Sequence, residues 1–277
     1  MDIFTNLLVV PLANGLILFY RTLGGNLGLA IIAFTLFLKV GLNPLNKPYM
    51  DSMKKIRDLA PSLQKLKERH KDDRIKLAQA QAEFYKQNKV NPGAGCLPYL
   101  LQIIILIALF NVFSRTLSPG FDVTQKFNEL LYQNLKFEEG EQISTRFLYL
   151  NLTDPDKLNI SQLNFPLPGP LLILAAALQF VSAKVSMPGV RASQKAAQKT
   201  DDKSDDFQVS MQKSMIYMFP LMTLVIGLQF SSALALYWLI FSVTQTYSQV
   251  RSSGWGELSA FINRFKLVNS TNTNKKS

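Results

Sequence analysis

The sequence predicts an all-α integral membrane protein with five transmembrane helices, a cytoplasmic two-helix hairpin and an N-terminal interfacial amphipathic helix. Three observations predict this class. Stretches such as 100–113 and 171–181 contain no charged residue, whereas a soluble helix of that length normally has a charged face. Five mostly apolar segments are long enough, at about 20 residues, to cross a bilayer. The charged residues stand in blocks between these segments.

The first apolar stretch, residues 3–20, is interrupted by Asn6, Pro11, Asn14 and Gly15. These interruptions favour an amphipathic helix that lies in the membrane interface over a sixth span. A signal peptide is the third alternative, but the stretch lacks both a basic start and a small-residue cleavage site. We therefore expect an interfacial helix before the first span.

The predicted spans divide the chain into alternating membrane and soluble segments. The last two spans meet at Ser231-Ser232, so we expect them to form a tight helical hairpin. In chain order the predicted segments are the N-terminal amphipathic helix (1–26), the first transmembrane helix (27–46), the cytoplasmic hairpin (47–92), the second transmembrane helix (96–114), the extracytoplasmic loop (115–167), the third transmembrane helix (168–187), a cytoplasmic loop (188–212), the fourth and fifth transmembrane helices (213–250) and the cytoplasmic tail (251–277).

The charges of the soluble segments predict the orientation in the membrane. Segment 47–92 contains 12 Lys and Arg against 6 Asp and Glu, whereas segment 115–167 contains 5 against 7. Segments 184–213 and 251–277 have net charges of +2 and +4. Because positive loops stay in the cytoplasm, the N-terminus is predicted outside and the C-terminus inside. A sixth span at 3–20 would also fit the charges, because it would move only the N-terminus to the other side of the membrane. This pattern also explains the formal net charge of +11 without nucleic-acid readout.

The cytoplasmic segment 47–92 has a helical pattern, with apolar residues every three to four positions in its first half. Pro61 either kinks this helix or begins a new one. The charged run 71–73 interrupts the pattern, and Asn91-Pro92-Gly93 ends a second helix. The two helices either pack on each other with a charged solvent face or leave apolar surface for a partner or for lipid headgroups.

Lys39 is a charged residue well inside a predicted span, at the thirteenth position of segment 27–46. A lysine at the centre of a span costs about 3 kcal/mol on insertion scales, and such groups usually face a cavity or a partner. None of the five predicted spans contains Asp or Glu. Lys39 is therefore expected to be neutral, bonded to backbone or exposed to water inside the protein, and we favour water.

Other polar residues occur in the predicted spans. Each of them alone is best explained by an interhelical hydrogen bond. Together with Lys39 they indicate a hydrophilic cavity whose positive charge attracts acidic groups. A proton relay or a cation carrier would instead use carboxylates, and the predicted spans contain none. These polar residues are Thr35, Asn43, Gln102, Asn111, Gln179, Gln229, Thr244 and Gln245.

Several classes of chemistry are not expected from this composition. Cys96 and His70 are the single residues of their types, which leaves no disulfide framework, Cys-rich metal site or Ser-His-Asp triad in the membrane. The sequence also lacks a GxxxxGK[ST] nucleotide loop. We therefore expect neither an enzyme nor a cofactor. A small secondary transporter or channel subunit that uses Lys39 as an anion site is the alternative function, although no internal repeat is visible.

Several segments, taken together in order and spacing from about residue 3 to residue 250, resemble the YidC-type membrane protein insertase family. The VNPxxGCLPxLLQ pattern is the most specific of them. The segments that carry the resemblance are AIIAFTLFLKVGLNPL, LAPSLQKLKERHKDD, EFYKQNKVNPGAGCLPYLLQIIILIALF, FLYLNLTDPD, MQKSMIYMFPLM and ALALYWLIFSVTQ.

The resemblance implies an insertase core of five helices, a cytoplasmic hairpin after the first helix and an amphipathic helix before it. It implies a substrate-binding groove whose positive charge is Lys39, where many relatives have Arg, and whose other positions are Thr35, Gln179, Tyr237 and Trp238. It further implies action without nucleotide hydrolysis in a bacterial plasma membrane, on nascent membrane proteins and among lipids. A ribosome and a Sec-type translocon are the other implied partners, with the hairpin as the expected docking surface.

Overall fold

The computed structural model describes residues 2–70, 73–90, 97–159, 165–186, 203–255 and 258. This part of the chain is mostly helical, as predicted. A π-helical turn, Thr5–Val9, precedes the first α-helix, and a short 3-10 helix spans Gln133–Leu135. The α-helices are α1 (Val10–Thr22), α2 (Leu27–Arg69), α3 (Arg74–Gln87), α4 (Leu97–Thr116), α5 (Val123–Asn128), α6 (Pro170–Ser186), α7 (Lys203–Gly227) and α8 (Ser232–Ser253).

Two short antiparallel β-hairpins lie between α5 and α6. Strands β1 (Arg146–Phe147) and β2 (Leu150–Asn151) form the first, and strands β3 (Lys157–Leu158) and β4 (Leu167–Pro168) form the second. The predicted loop 115–167 therefore has secondary structure of its own, which the mixed polarity of the sequence did not indicate. Residues 160–164 of this loop lie outside the described residues.

The described helices include one, Leu27–Pro44 within α2, that is long and apolar enough to cross a bilayer. Only 33% of this window is buried inside the protein, which is low for the core helix of a soluble domain. Shorter apolar helices cover Leu101–Thr116, Pro170–Val185 and Ile216–Gly227. These coincide with parts of the second, third and fourth predicted spans, so the complete five-span core stays a prediction.

Helix α2 continues past residue 46, the predicted end of the first span, as far as Arg69. Pro61 neither begins nor ends it, so of the two alternatives at this proline the start of a new helix is wrong and the helix continues. A proline removes one backbone hydrogen bond, and α2 continues on both sides of that site. The next helix, α3, begins after the charged run, where the carboxylate of Asp73 accepts a hydrogen bond from the backbone N–H of Lys76 at 3.0 Å. Asn91-Pro92-Gly93 lies outside the described residues.

The chain divides into two compact units. The first unit comprises Met1–Pro44, Leu97–Gln179 and Phe219–Thr244, and the second comprises Leu45–Cys96, Phe180–Met218 and Gln245–Ser277. The main hydrophobic core belongs to the first unit. Its largest fully buried side chains include Phe127, Leu16, Ile17, Leu109, Leu152 and Leu234.

The N-terminal helix packs on the segment that follows α4. The Asn14 side chain donates to the Leu130 carbonyl at 3.0 Å and accepts from the Tyr132 N–H at 2.8 Å. Arg21 donates to the carbonyls of Leu135 and Lys136 at 3.2 and 2.9 Å. Asn14, which interrupts the apolar stretch 3–20, thus satisfies backbone groups about 116 residues away. The interfacial position of this helix stays a prediction.

Candidate functional site

Lys39 lies on α2 in the first unit, and its side chain is partly buried. Its Nζ is 4.9 Å from the centroid of the Phe241 ring on α8. At this distance the electron-rich ring face attracts the ammonium, which is worth about 0.5 to 2 kcal/mol depending on desolvation. An aromatic partner was not among the environments expected for Lys39. Phe241 partly offsets the cost of the charge without cancelling the charge itself.

Tyr237 extends the site from Phe241 toward α4. The two rings stack with centroids 6.1 Å apart and an interplanar angle of 28°. The Tyr237 side chain is buried, and its hydroxyl accepts a hydrogen bond from Gln102 Nε2 on α4 at 2.8 Å. Lys39, Phe241, Tyr237 and Gln102 thus form a continuous cluster, hereafter the Lys39 cluster, that connects α2, α8 and α4.

Thr35 and Trp238 lie near this cluster in sequence but differ in environment. The Thr35 hydroxyl is buried and donates to the Ile31 carbonyl one turn earlier in α2, at 2.6 Å. Its polar group is therefore satisfied within its own helix. Trp238 is partly buried and packs against the hydrophobic core. The participation of both residues in a groove stays a prediction.

Gln179 takes part in a different polar contact, between α6 and α7. Its side-chain oxygen accepts a hydrogen bond from the hydroxyl of Thr223, which is 2% exposed. This contact fits the interhelical hydrogen bond expected for an isolated polar residue in a span. Gln179 and Thr223 both belong to the first unit.

Phe241 and Thr223 are the two contact residues that the sequence analysis did not single out. Phe241 had a usable signal, because it follows Tyr237 by four residues and so lies on the same face of α8. Thr223 had no such signal, since a threonine in an apolar helix commonly bonds its own backbone. Its partner on α6 depends on how the two helices pack.

The Lys39 cluster combines a cation, two aromatic faces and an amide. Such a set can attract an acidic group and can contact apolar chain with the aromatic faces. Among the described residues, no group of three or more His, Cys, Asp or Glu side chains could hold a metal ion.

Comparison with known proteins identifies the family of the chain. The family model described as 60Kd inner membrane protein matches residues 18–253, which is most of the chain. The chain belongs to the YidC family. A Fusobacterium nucleatum relative named "Membrane protein insertase YidC" is 31% identical over 225 residues, which cover 81% of this chain and 85% of the relative.

Shewanella members of the YidC family match a shorter part of the chain more closely. The Shewanella frigidimarina protein is 50% identical and the Shewanella sp. (strain ANA-3) protein 52% identical, each over 103 residues. Both have the same name, "Membrane protein insertase YidC". These matches cover 37% of this chain and 19% of each Shewanella protein.

Proposed function

We propose that this chain is a membrane protein insertase of the bacterial inner membrane, which helps newly made proteins to enter and fold in the bilayer. The observation that carries the proposal is the family match over residues 18–253. The name shared by the Fusobacterium and Shewanella relatives supports it. The charge inside the apolar helix Leu27–Pro44, which is long enough to cross a bilayer, gives the proposal a chemical basis.

In the proposed mechanism, Lys39 attracts the acidic or hydrophilic end of a substrate into a groove that is open to the cytoplasm and to lipid. The Phe241 ring lies beside Nζ at 4.9 Å and lowers the cost of holding an ammonium among apolar helices.

The apolar part of the substrate then moves into lipid past the third and fifth predicted spans. Transfer of apolar surface out of water is favourable by about 25 cal/mol for each Å², so a span-sized segment supplies its own driving force. The mechanism therefore includes no nucleotide hydrolysis. The proposed orientation has the N-terminus outside and the hairpin in the cytoplasm, where a ribosome and a Sec-type translocon are the proposed further partners.

Reconstitution tests the proposal directly. The purified chain is placed alone in liposomes, and protease protection measures the insertion of a short single-span substrate with an acidic translocated end. We compare wild type with Lys39→Ala and with Lys126→Ala. Lys126 is a matched control, because its Nζ also lies near a phenylalanine ring, at 5.7 Å from the Phe121 centroid, but outside the predicted spans.

We expect protected substrate with wild type and with Lys126→Ala, and about a tenfold lower initial rate with Lys39→Ala, which corresponds to 1.4 kcal/mol. For a substrate whose translocated end is neutral, Lys39→Ala should lower the initial rate of insertion less. Equal rates for all three proteins would remove Lys39 from the mechanism. Absence of insertion by wild type would contradict autonomous insertion by this chain.

A further inference from the structure

The segment Tyr149–Asp156, hereafter the interhelix latch, belongs to the FLYLNLTDPD motif and has no role in the proposed groove. It follows the β1 strand and precedes the second β-hairpin. Its residues make hydrogen bonds to the first turns of α6 and α8, which correspond to the third and fifth predicted spans. All of these groups belong to the first unit.

The latch satisfies the N-terminal donors of α6. The first four residues of a helix have no intrahelical partner for their N–H groups. Pro170 has no N–H, the Leu171 N–H donates to the Tyr149 hydroxyl at 2.9 Å, and the Leu172 N–H donates to the Asp156 carboxylate at 2.8 Å. The Ile173 N–H donates to the Gly169 carbonyl at 3.0 Å.

The Asp156 carboxylate is the centre of this arrangement. The residue is 4% exposed, and its charge is favoured by the positive end of the α6 dipole. The Tyr149 hydroxyl also donates to the carboxylate, at 3.3 Å. Desolvation, the largest cause, and the nearby Asp156 charge raise the pKa of Tyr149, which keeps this hydroxyl protonated as a donor. A Cβ on Gly169 would collide with the carboxylate.

The same segment holds the start of α8 through its backbone. The Ser232 N–H donates to the Asp154 carbonyl at 2.8 Å, and the Ser232 hydroxyl donates to the Asn151 carbonyl at 3.1 Å. Ser232 is 1% exposed. A segment of eight residues therefore caps two helices whose first residues are more than sixty positions apart in sequence.

We infer that Asp156 is a positioning residue, which holds the starts of α6 and α8 at a fixed spacing on the extracytoplasmic side while substrate leaves between these helices and lipid. This role rests on the proposed function. The buried carboxylate acts through the first turn of α6, and the backbone of the same segment transmits that position to α8. Without the carboxylate, the start of α6 is no longer held at a fixed distance from the start of α8.

The test measures the spacing of the helix starts without relying on insertion. Spin labels are attached at Leu174→Cys on α6 and at Gln229→Cys, three residues before α8, in a Cys96→Ser background. Both labelled positions are exposed. Distance distributions are recorded for the reconstituted chain and for Asp156→Ala, Asp156→Asn and Asp154→Ala. Asp154 is the matched control, because its exposed carboxylate bonds within the latch, to Asn151 and Thr153.

We expect one narrow distance for the parent and for Asp154→Ala, and about a tenfold larger population at longer distances for Asp156→Ala, the scale of one lost helix cap. Asp156→Asn should restore most of the narrow distance, because its amide oxygen can still accept the Leu172 N–H. An unchanged distribution in Asp156→Ala, or the same broadening in Asp154→Ala, would overturn the inference. If Asp156→Ala does not fold, Gly169→Ala takes its place, because the added Cβ displaces the carboxylate without removing it. A broader distance distribution would then support the inference, and an unchanged one would overturn it.

The insertion assay of the previous section then separates the two proposals. Asp156→Ala should slow insertion several-fold while Asp154→Ala does not. A broadened distance with insertion at the parent rate would remove Asp156 from substrate release. If the distance broadens in Asp156→Ala but the parent protein inserts no substrate, the positioning role of Asp156 is supported and the proposed function is contradicted.

Discussion

The segment 115–167 differs from the second half of α2 together with α3 in how far apart in sequence its hydrogen-bond partners lie. Asn14 and Tyr20, which lie on α1, bond backbone groups of the first region, and the Asp156 side chain of that region bonds the Leu172 N–H on α6. These partners are 16 to 124 residues apart in sequence. In the described part of the second region, Asp73 and Asn88 bond groups only three or four residues away. The first region therefore depends on tertiary structure for its conformation, whereas the second has helices specified by neighbouring residues.

Removal of the Asn14 amide should give the largest of the expected changes in the free energy of unfolding, because it breaks long-range hydrogen bonds of the first region. Asn14→Ala leaves the Leu130 carbonyl and the Tyr132 N–H without their side-chain partner, and each unsatisfied buried group costs about 1 to 3 kcal/mol. We expect a loss of about 2 to 4 kcal/mol in the free energy of unfolding, measured by denaturant titration in detergent. Asn134→Ala, at an exposed residue of the same segment, is the control. Equal stability of the two variants would show that this long-range contact is dispensable.

Two glycines of α2 should respond oppositely to alanine. A Cβ on Gly28 would collide with the Phe147 ring of β1, whereas a Cβ on Gly41 would meet nothing within 4 Å. We expect Gly28→Ala to destabilise by about 1 to 3 kcal/mol through overpacking. Gly41→Ala should stabilise by up to about 1 kcal/mol through helix propensity. Thermal unfolding in one detergent measures both. Destabilisation of similar size at both sites would contradict the packing of β1 on the start of α2.

The contact between Lys39 and Phe241 should give a smaller effect, measured as a coupling. In a double-mutant cycle with Lys39→Met and Phe241→Leu, we expect a coupling free energy of about 0.5 to 1 kcal/mol. Phe241→Tyr should retain it, because tyrosine keeps the aromatic face. The cycle uses unfolding free energies, so it does not depend on insertion activity. A coupling near zero would mean that the 4.9 Å approach makes no energetic contribution.

The smallest effect is expected at the start of α3 and depends on pH. The backbone N–H of Lys76 holds the pKa of Asp73 below its ordinary value of 3.8. Because the folded pKa is lowered, the cap contributes stability above 3.8 and loses it as the pH falls through the folded value. The protection factors of the amides at residues 76 and 77, which are corrected for the intrinsic exchange rate at each pH, should therefore fall in that acidic range. Asp73→Asn, which can still cap without titrating, should show a flatter dependence.

The sequence by itself determined the features that depend on neighbouring residues. The charge-free stretches predicted the apolar helices of the described chain, and the position of Lys39 identified the charge within the helix Leu27–Pro44. The motif order identified the family. Helical periodicity also predicted helix on both sides of the charged run 71–73, as α2 and α3 show. It could not predict that α2 continues through Pro61, since propensity and local pattern allow either outcome at a proline.

Only the tertiary structure decided which distant groups meet. The Phe241 ring beside Lys39, the Thr223 hydroxyl on Gln179 and the Asp156 carboxylate at the start of α6 join elements that are 16 to about 200 residues apart. Asn14 interrupts an apolar stretch in the sequence, yet in the structure it bonds the segment after α5. The reason is physical: buried backbone groups must find partners, but helix packing selects those partners, and sequence periodicity describes only which face of each helix is apolar.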